Sequence, residues 1–315
     1  MPFGWLRMHR NTHAHIDAFA LMISVLILTK NEQQDLPGCL ASVAWSDDVH
    51  VLDSGSTDQT QAIAVQHGAH FSTRPFDGYA SQRNAGLNLA FKHPWVFLLD
   101  ADERIPPSLQ LEMQAFASTA PASVGAARMR RRDMWWGTWL KHAQISPFYI
   151  RLVRVGRAHY EREINEILVV NGEIQDLQQP FDHFPFSKGL DHWINKHNTY
   201  SHMEAAFIAA QMGSETSWKE ALFNRDFNER RRHQKGLFYK MPCRPLIKLG
   251  YMLLVRRAFL DGWAGIRYAL LQAIYEYFIV LKTKELAASD TRYATPEGGL
   301  PKKAVPAQSL TKAPK

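Results

Sequence analysis

Cysteine is nearly absent from this chain. The two copies, Cys39 and Cys243, are too few for a disulfide framework, and neither sits in a metal-ligand spacing. Both read as packing residues in a reducing compartment. No apolar stretch reaches the ~18–20 residues that a bilayer span requires. The richest apolar region, 237–282, is broken by charge at short intervals. The first twenty residues carry Arg7, Arg10, several histidines and an aspartate in place of a continuous apolar core, so they do not read as a secretory signal. Residues 1–21 read as an N-terminal extension, with Met22 a candidate start. No G-x-G-x-x-G follows the first predicted strand, which weakens a dinucleotide-binding reading, and no G-x-x-x-x-G-K-[ST] supports a P-loop NTPase. There is no internal repeat and no recognisable nucleic-acid module.

What is present is a folded-protein composition: 46% hydrophobic and 21% charged over 315 residues, enough for one large domain with appendages. The net charge of +7 favours anionic partners, whether nucleic acid, phosphorylated substrates or an anionic membrane surface. Arginines cluster at 128–132 and again at 225–232. Lys248, Arg256, Arg257 and Arg267 are scattered through the apolar C-terminal region.

Periodicity predicts an alternation of strands and helices. Met22–Thr29, Val49–Asp53, Ala69–Ser72 and Trp95–Asp100 read as strands. Helices are predicted over Glu32–Val43, Asp58–Gln66 and Tyr79–Phe91. Such alternation indicates a parallel α/β sheet with right-handed crossovers. Residues 125–170 look more β-like, Asp191–Met212 reads as a helix, and Leu270, Leu271, Ile274, Tyr277, Phe278 and Leu281 fall at helical spacing. That last stretch is either a helix lying in a membrane interface or one that covers the core. Ala287–Lys315 reads as a disordered tail. The domain boundaries expected are 1–21 extension, 22–235 catalytic domain, 236–285 amphipathic membrane-associating helices and 286–315 tail.

The most informative segment is Trp95-Val-Phe-Leu-Leu-Asp100-Ala-Asp102-Glu103. An apolar run ends in two aspartates one residue apart, which places both at the C-terminal end of a buried strand, where open α/β sheets hold ligands. Neighbouring acids repel unless a cation lies between them, and Mg²⁺ or Mn²⁺ bridging to substrate phosphates is the expected one. A strand followed by a solvated acidic turn is the alternative.

Four motifs in order resemble family-2 glycosyltransferases with the GT-A fold: Val25-Leu-Ile-Leu-Thr-Lys-Asn31-Glu32, Val51-Leu-Asp53-Ser-Gly-Ser56-Thr57-Asp58-Gln-Thr60, Gln82-Arg83-Asn84-Ala-Gly86 and Asp100-Ala-Asp102-Glu103. The resemblance covers 22–110 closely. It continues loosely through Arg151-Leu-Val-Arg154, Asn165-Glu166 and Phe259–Gly265, in a layout similar to the lipopolysaccharide core branch. It implies a Rossmann-like, mostly parallel sheet flanked by helices, with an α-helical amphipathic C-terminal region. It also implies an inverting, metal-dependent hexosyltransferase that draws on a nucleotide sugar, UDP-hexose above all, and acts on a lipid-linked glycan at the inner face of the cytoplasmic membrane.

By that resemblance Asp102 is the direct metal ligand, for Mg²⁺ or Mn²⁺, and Asp100 assists through the ribose or a metal-bound water. Asp53 accepts hydrogen bonds from the uracil or ribose, Thr29 and Glu32 contact the nucleoside, and Arg83 approaches the diphosphate. Inversion needs a base; Glu161, Glu163 and Glu166 are candidates, with Glu166 preferred although Asn165 replaces the branch's usual histidine. His183 orients the acceptor or leaving phosphate, or is structural. Trp135, Trp136 and Trp139 offer a sugar-stacking platform or a piece of core. Asp58 reads as a helix-start residue, and Asn84 as a pin for a loop. A polyprenyl-phosphate or protein acceptor is the second functional reading, and a basic nucleic-acid-binding protein the third.

Overall fold

The computed structural model describes residues 22–162, 166–211 and 216–292. The expected N-terminal extension, Glu163 and Asn165 therefore lie outside the described residues. Within them the chain divides into two compact units. One comprises residues up to 197 together with Pro245–Ala273, and the other comprises Asn198–Arg244 with the segment from Ile274 onward.

The first unit is built on a ten-stranded mixed sheet. Its parallel half follows the predicted alternation: β1 (Ile23–Thr29), α1 (Leu36–Ser42), β2 (Val49–Asp53), α2 (Thr60–Gln66), β3 (His70–Thr73), α3 (Tyr79–Leu87) and β4 (Trp95–Asp100). The strand order is β3-β2-β1-β4, all parallel. β1 and β4 are buried on both faces, which is why they read as unbroken apolar runs. Ile23, Val25, Ile27, Trp95, Phe97 and Leu99 join one core cluster. The alternate residues Leu26, Val96 and Leu98 join another on the opposite face. On the first face α1 contributes Leu36 and Leu40, and α4 (Pro107–Thr119) contributes Leu109, Met113 and Ala117.

The other half of the sheet has a different character. After β5 (Glu103–Arg104) and α4 come β6 (Val124–Trp135), β7 (Thr138–Trp139), β8 (Phe148–Arg154), β9 (Ala158–Glu161), β10 (Ile167–Val170), β11 (Glu173–Asp176) and β12 (Phe181–His183). β8 inserts antiparallel between β4 and β6, and β12 runs parallel to β6 and antiparallel to β5. β9 and β10 form a separate hairpin. The expected parallel α/β sheet is thus present and is extended by antiparallel strands, each helix-flanked face closing over its own core.

The C-terminal part of this unit begins at Pro245, inside α8 (Arg244–Gly250). It continues through a π-helical turn, Tyr251–Val255, and a 3₁₀ turn, Ala258–Asp261, into α9 (Gly262–Arg292). Asp261 anchors the turn: its Oδ2 accepts from the backbone N–H of His142 (2.8 Å) and Ala143 (2.7 Å), and Oδ1 lies 2.6 Å from His142 Nδ1. Ala258, Ala264, Tyr268 and Ala269 pack with Trp135 and Leu140 in a third cluster. Gly265 has no room for a side chain, since a Cβ there would fall 2.0 Å from the Ala258 carbonyl.

The second unit is helical: the part of α5 (Gly189–Gln211) from Asn198 onward, α6 (Trp218–Phe223), α7 (Phe227–Lys240) and the distal part of α9. Ser217 and Asp226 cap α6 and α7 through their side chains. A buried Arg244–Glu276 ion pair and Lys282, which donates to Asn198 and Ser201, tie its helices together. α9 runs to Arg292, past residue 286 where a tail was expected. The helix formers Lys282 to Ala288 precede the first helix-breaking proline, Pro296, and carry it on. Among the described residues no helix is long and apolar enough to cross a membrane.

Candidate active site

The parallel strands deliver their C-terminal ends to one cleft of about 590 Å³. Two loops beyond the strands are stitched side to side. Asn31 Oδ1 accepts from Thr57 N (2.9 Å), Asn31 N donates to Ser56 Oγ (2.7 Å), and Glu32 N donates to Thr60 Oγ1 (2.8 Å). Asp58 accepts from Thr60 N and Gln33 N, the helix-start role expected of it. Gly55, at φ +82°, supplies the left-handed residue of the second loop.

Of the residues singled out in the sequence, Thr29, Glu32, Arg83, Asp100, Asp102 and His183 all line this cleft. Asp53 and Glu166 are not among its lining residues. Asp53 is buried, and four donors surround its carboxylate: Thr29 Oγ1 (2.8 Å) and Ser56 Oγ (2.5 Å) on Oδ1, Gly55 N (2.8 Å) and Ser56 N (2.6 Å) on Oδ2. A carboxylate has about four acceptor sites, so a nucleoside contact would require one of these donors to move away. Asn84 pins the hairpin by exchanging hydrogen bonds with both backbone groups of Tyr160, at 2.8 and 2.7 Å.

The acidic end of β4 is organised by arginines from elsewhere. Arg151, on β8 and almost wholly buried, donates to Asp100 Oδ2 (3.1 Å) and Glu103 Oε1 (2.5 Å). Arg83, on α3, faces Asp100 Oδ1 (3.5 Å), and its Nε donates to Glu166 Oε1 (3.2 Å). Burial would raise the Asp100 pKa, but Arg151 and Arg83 pull it down to about 2. Glu103 has the opposite outcome: burial outweighs Arg151 and lifts it to about 7. Glu32 is likewise raised to about 7 by burial, against the pull of Lys188 at 2.7 Å. Its Oε2 and the Nε2 of Gln82, another cleft residue, are buried without hydrogen-bond partners.

Asp102 stands apart from the arginines. Its Oδ2 lies 3.3 Å from Nε2 of His183, whose Nδ1 lies 2.5 Å from the buried Asp133 Oδ1. Burial disfavours the imidazolium, yet Asp102 and Asp133 on either side raise His183 to about 9. An aspartate and a histidine thus converge at one point, with a second carboxylate fixing the far ring nitrogen, a pair that could hold a divalent cation once the imidazole gives up its proton.

Among the cleft residues that escaped the sequence reading are two aromatics. Phe76 and Tyr79 are exposed on its wall, their rings 5.1 Å apart edge to face. Arg131 also lines it, paired with the buried Asp133 at 3.1 Å, while Arg128 and Arg132 on the same strand pair with Asp176 and Asp182. Trp135 is core, stacked on Phe186 at 4.3 Å, while Trp136 is exposed beneath Arg267. The network generates one stability expectation. Arg151→Met leaves the buried Glu103 carboxylate without its ion-pair partner and lowers unfolding free energy by about 3–5 kcal/mol; Arg151→Met with Glu103→Gln loses less than the sum of the single changes. Chemical denaturation of the variants measures both.

Residues 24–171 match the family model described as Glycosyl transferase family 2. The chain is 30% identical over 203 residues to an uncharacterized glycosyltransferase of Rickettsia typhi, covering 60% of this chain and 68% of that one. It is 28% identical over 194 residues to the lipopolysaccharide core biosynthesis glycosyltransferase LpsC of Rhizobium meliloti, covering 59% and 71%. Among solved structures it is similar to glucosyl-3-phosphoglycerate synthase from Mycobacterium tuberculosis in complex with Mn²⁺, UDP and glucosyl-3-phosphoglycerate, at 22% identity and a TM-score of 0.31. That match covers 41% of this chain and spans about half, 51%, of the solved one. This chain belongs to glycosyl transferase family 2.

Proposed function

We propose that the protein is an inverting hexosyltransferase that takes a hexose from a nucleotide sugar, UDP-hexose in the first instance, and places it on a lipid-linked glycan of the lipopolysaccharide-core kind. The observation that carries this reading is the cleft itself: Asp102, His183 and Arg83 line one space at the strand ends, with Asp133 behind the His183 ring. Its volume falls within the range of about 300–1,000 Å³ usual for small-molecule sites.

Each side chain then has a task. Glu32, with an unpartnered oxygen, and Thr29 hold the nucleoside, Phe76 and Tyr79 supply apolar faces for base or sugar, and Asp53 shapes the loop beneath them. Asp102 and His183 would hold Mg²⁺ or Mn²⁺, which when bound supplies Lewis-acid stabilisation of the departing diphosphate. The Arg83 guanidinium matches phosphate oxygens bidentately. Moving to them releases Glu166 from its ion pair, and Glu166 is then free to take the acceptor hydroxyl proton. Diphosphate binding and base activation are coupled through one arginine.

The acceptor reading is supported by the surface around Tyr251–Trp263. Leu254, Val255, Phe259, Leu260 and Trp263 are all exposed there, Leu254 at 76% and Trp263 at 71%. Arg257 and Arg267 lie among them. Apolar and indole side chains beside cations suit the headgroup boundary of an anionic bilayer. We assign this surface to the inner face of the cytoplasmic membrane, where a lipid-linked acceptor is reached without a spanning helix.

Three outcomes test the proposal. With EDTA-stripped protein, transfer from a nucleotide sugar returns on adding Mn²⁺, whereas Asp102→Ala stays inactive; full activity in that variant removes the metal assignment. Glu166→Gln lowers kcat by about 10²–10⁴-fold with donor KM little changed, as loss of a general base requires; an unaltered kcat moves the base elsewhere. In vesicle flotation with phosphatidylglycerol, the chain rises with the lipid and Leu254→Glu/Val255→Glu remains at the bottom. Equal flotation of both proteins excludes this surface.

A further inference from the structure

At the end of the sheet opposite the cleft, where β2 and β3 begin, Asp48, His50 and His70 converge. Asp48 Oδ1 lies 2.9 Å from His50 Nε2 and 3.7 Å from His70 Nε2, and the three ligand atoms all lie within 4.8 Å of one another. A tetrahedral zinc ion with bonds of about 2.0–2.1 Å holds its ligands about 3.3 Å apart, a value these separations bracket. We propose that Asp48, His50 and His70 form a binding site for a divalent cation of the zinc class, separate from the cation of the transfer reaction.

The fold builds this site rather than merely permitting it. The parallel register sets His50 directly beside His70 on neighbouring strands, so both side chains leave the same face. Their rings lie 4.9 Å apart, and Phe91 braces His50 edge-on at 5.0 Å. Asp48 is buried, and its other oxygen is already held by Ser24 Oγ (2.5 Å) and the Lys92 N–H (2.8 Å), leaving Oδ1 to the histidines. The neighbouring Asp47 is committed to Lys92 and His93. His70 is 66% exposed, so one side of the site is open for the ion to enter and for water to complete the coordination.

The two sites differ in their donors: two imidazoles and one carboxylate here, a set that suits zinc, cobalt or nickel, against the single aspartate and histidine of the cleft. The consequence is structural. β3 is the edge strand of the sheet, and an ion bridging His70 to Asp48 and His50 clips its first residue to the interior.

The test uses the full chain, stripped with EDTA, with ZnCl₂ or CoCl₂ alone as probe. An Asp102→Ala/His183→Ala background silences the cleft. That protein is expected to bind one zinc per chain, to melt at higher temperature in its presence, and to give the visible absorption of tetrahedral cobalt. His70→Ala in the same background is expected to weaken zinc binding at least tenfold and abolish both signals. Because His70 is exposed, its melting temperature without metal should be unchanged, which separates lost ligation from lost folding; His70→Gln provides a second check. Absence of zinc binding in the background protein, or equal binding after His70→Ala, overturns the proposal.

Discussion

Asp100, Asp102 and Glu103 leave one strand end within four residues, and nothing in an apolar strand offsets their mutual repulsion. Arg151 does so from β8, its guanidinium shared between Asp100 and Glu103. This one group lets the acids gather, keeps Asp100 ionised together with Arg83, and leaves Asp102 to face His183 instead. The antiparallel insertion of β8 beside β4 is what brings Arg151 there. The mixed half of the sheet is thus a requirement of the site and not an ornament on a parallel fold.

The sharing of arginines also explains why neighbouring carboxylates behave so differently. Asp100 is flanked by two guanidinium groups and sits far below the usual range, while the more deeply enclosed Glu103 titrates near neutrality. Position along the chain predicts none of this. Burial and the number of cations within reach decide it.

β1 and β4 were legible because burial on both faces leaves nearly unbroken apolar runs, and the acids that close β2 and β4 announce the cleft. Helix starts at Asp58 and Tyr79 were legible from local chemistry. Less was visible beyond residue 103. β5, β11 and β12 span two to four residues, too few to show a period. α4 went unread although Pro107 at its start and Leu109, Met113 and Ala117 at helical spacing mark it. The pairings that assemble the site, Arg151 with Glu103 and His183 with Asp133, join residues about fifty apart, and no local pattern encodes such partnerships. The one available hint was a lone arginine inside the otherwise apolar stretch Tyr149–Val153.

The return of β12 to lie between β6 and β5 has a consequence for biogenesis. Asp102 leaves the ribosome some eighty residues ahead of His183, so a nascent chain displays its acidic strand end long before the histidine that faces it exists. The Rossmann-like half is free to condense early from local alternation, whereas the cleft is completed only by a late, long-range pairing. Chains interrupted in translation before His183 would therefore carry the parallel strand ends with Asp102 unfaced.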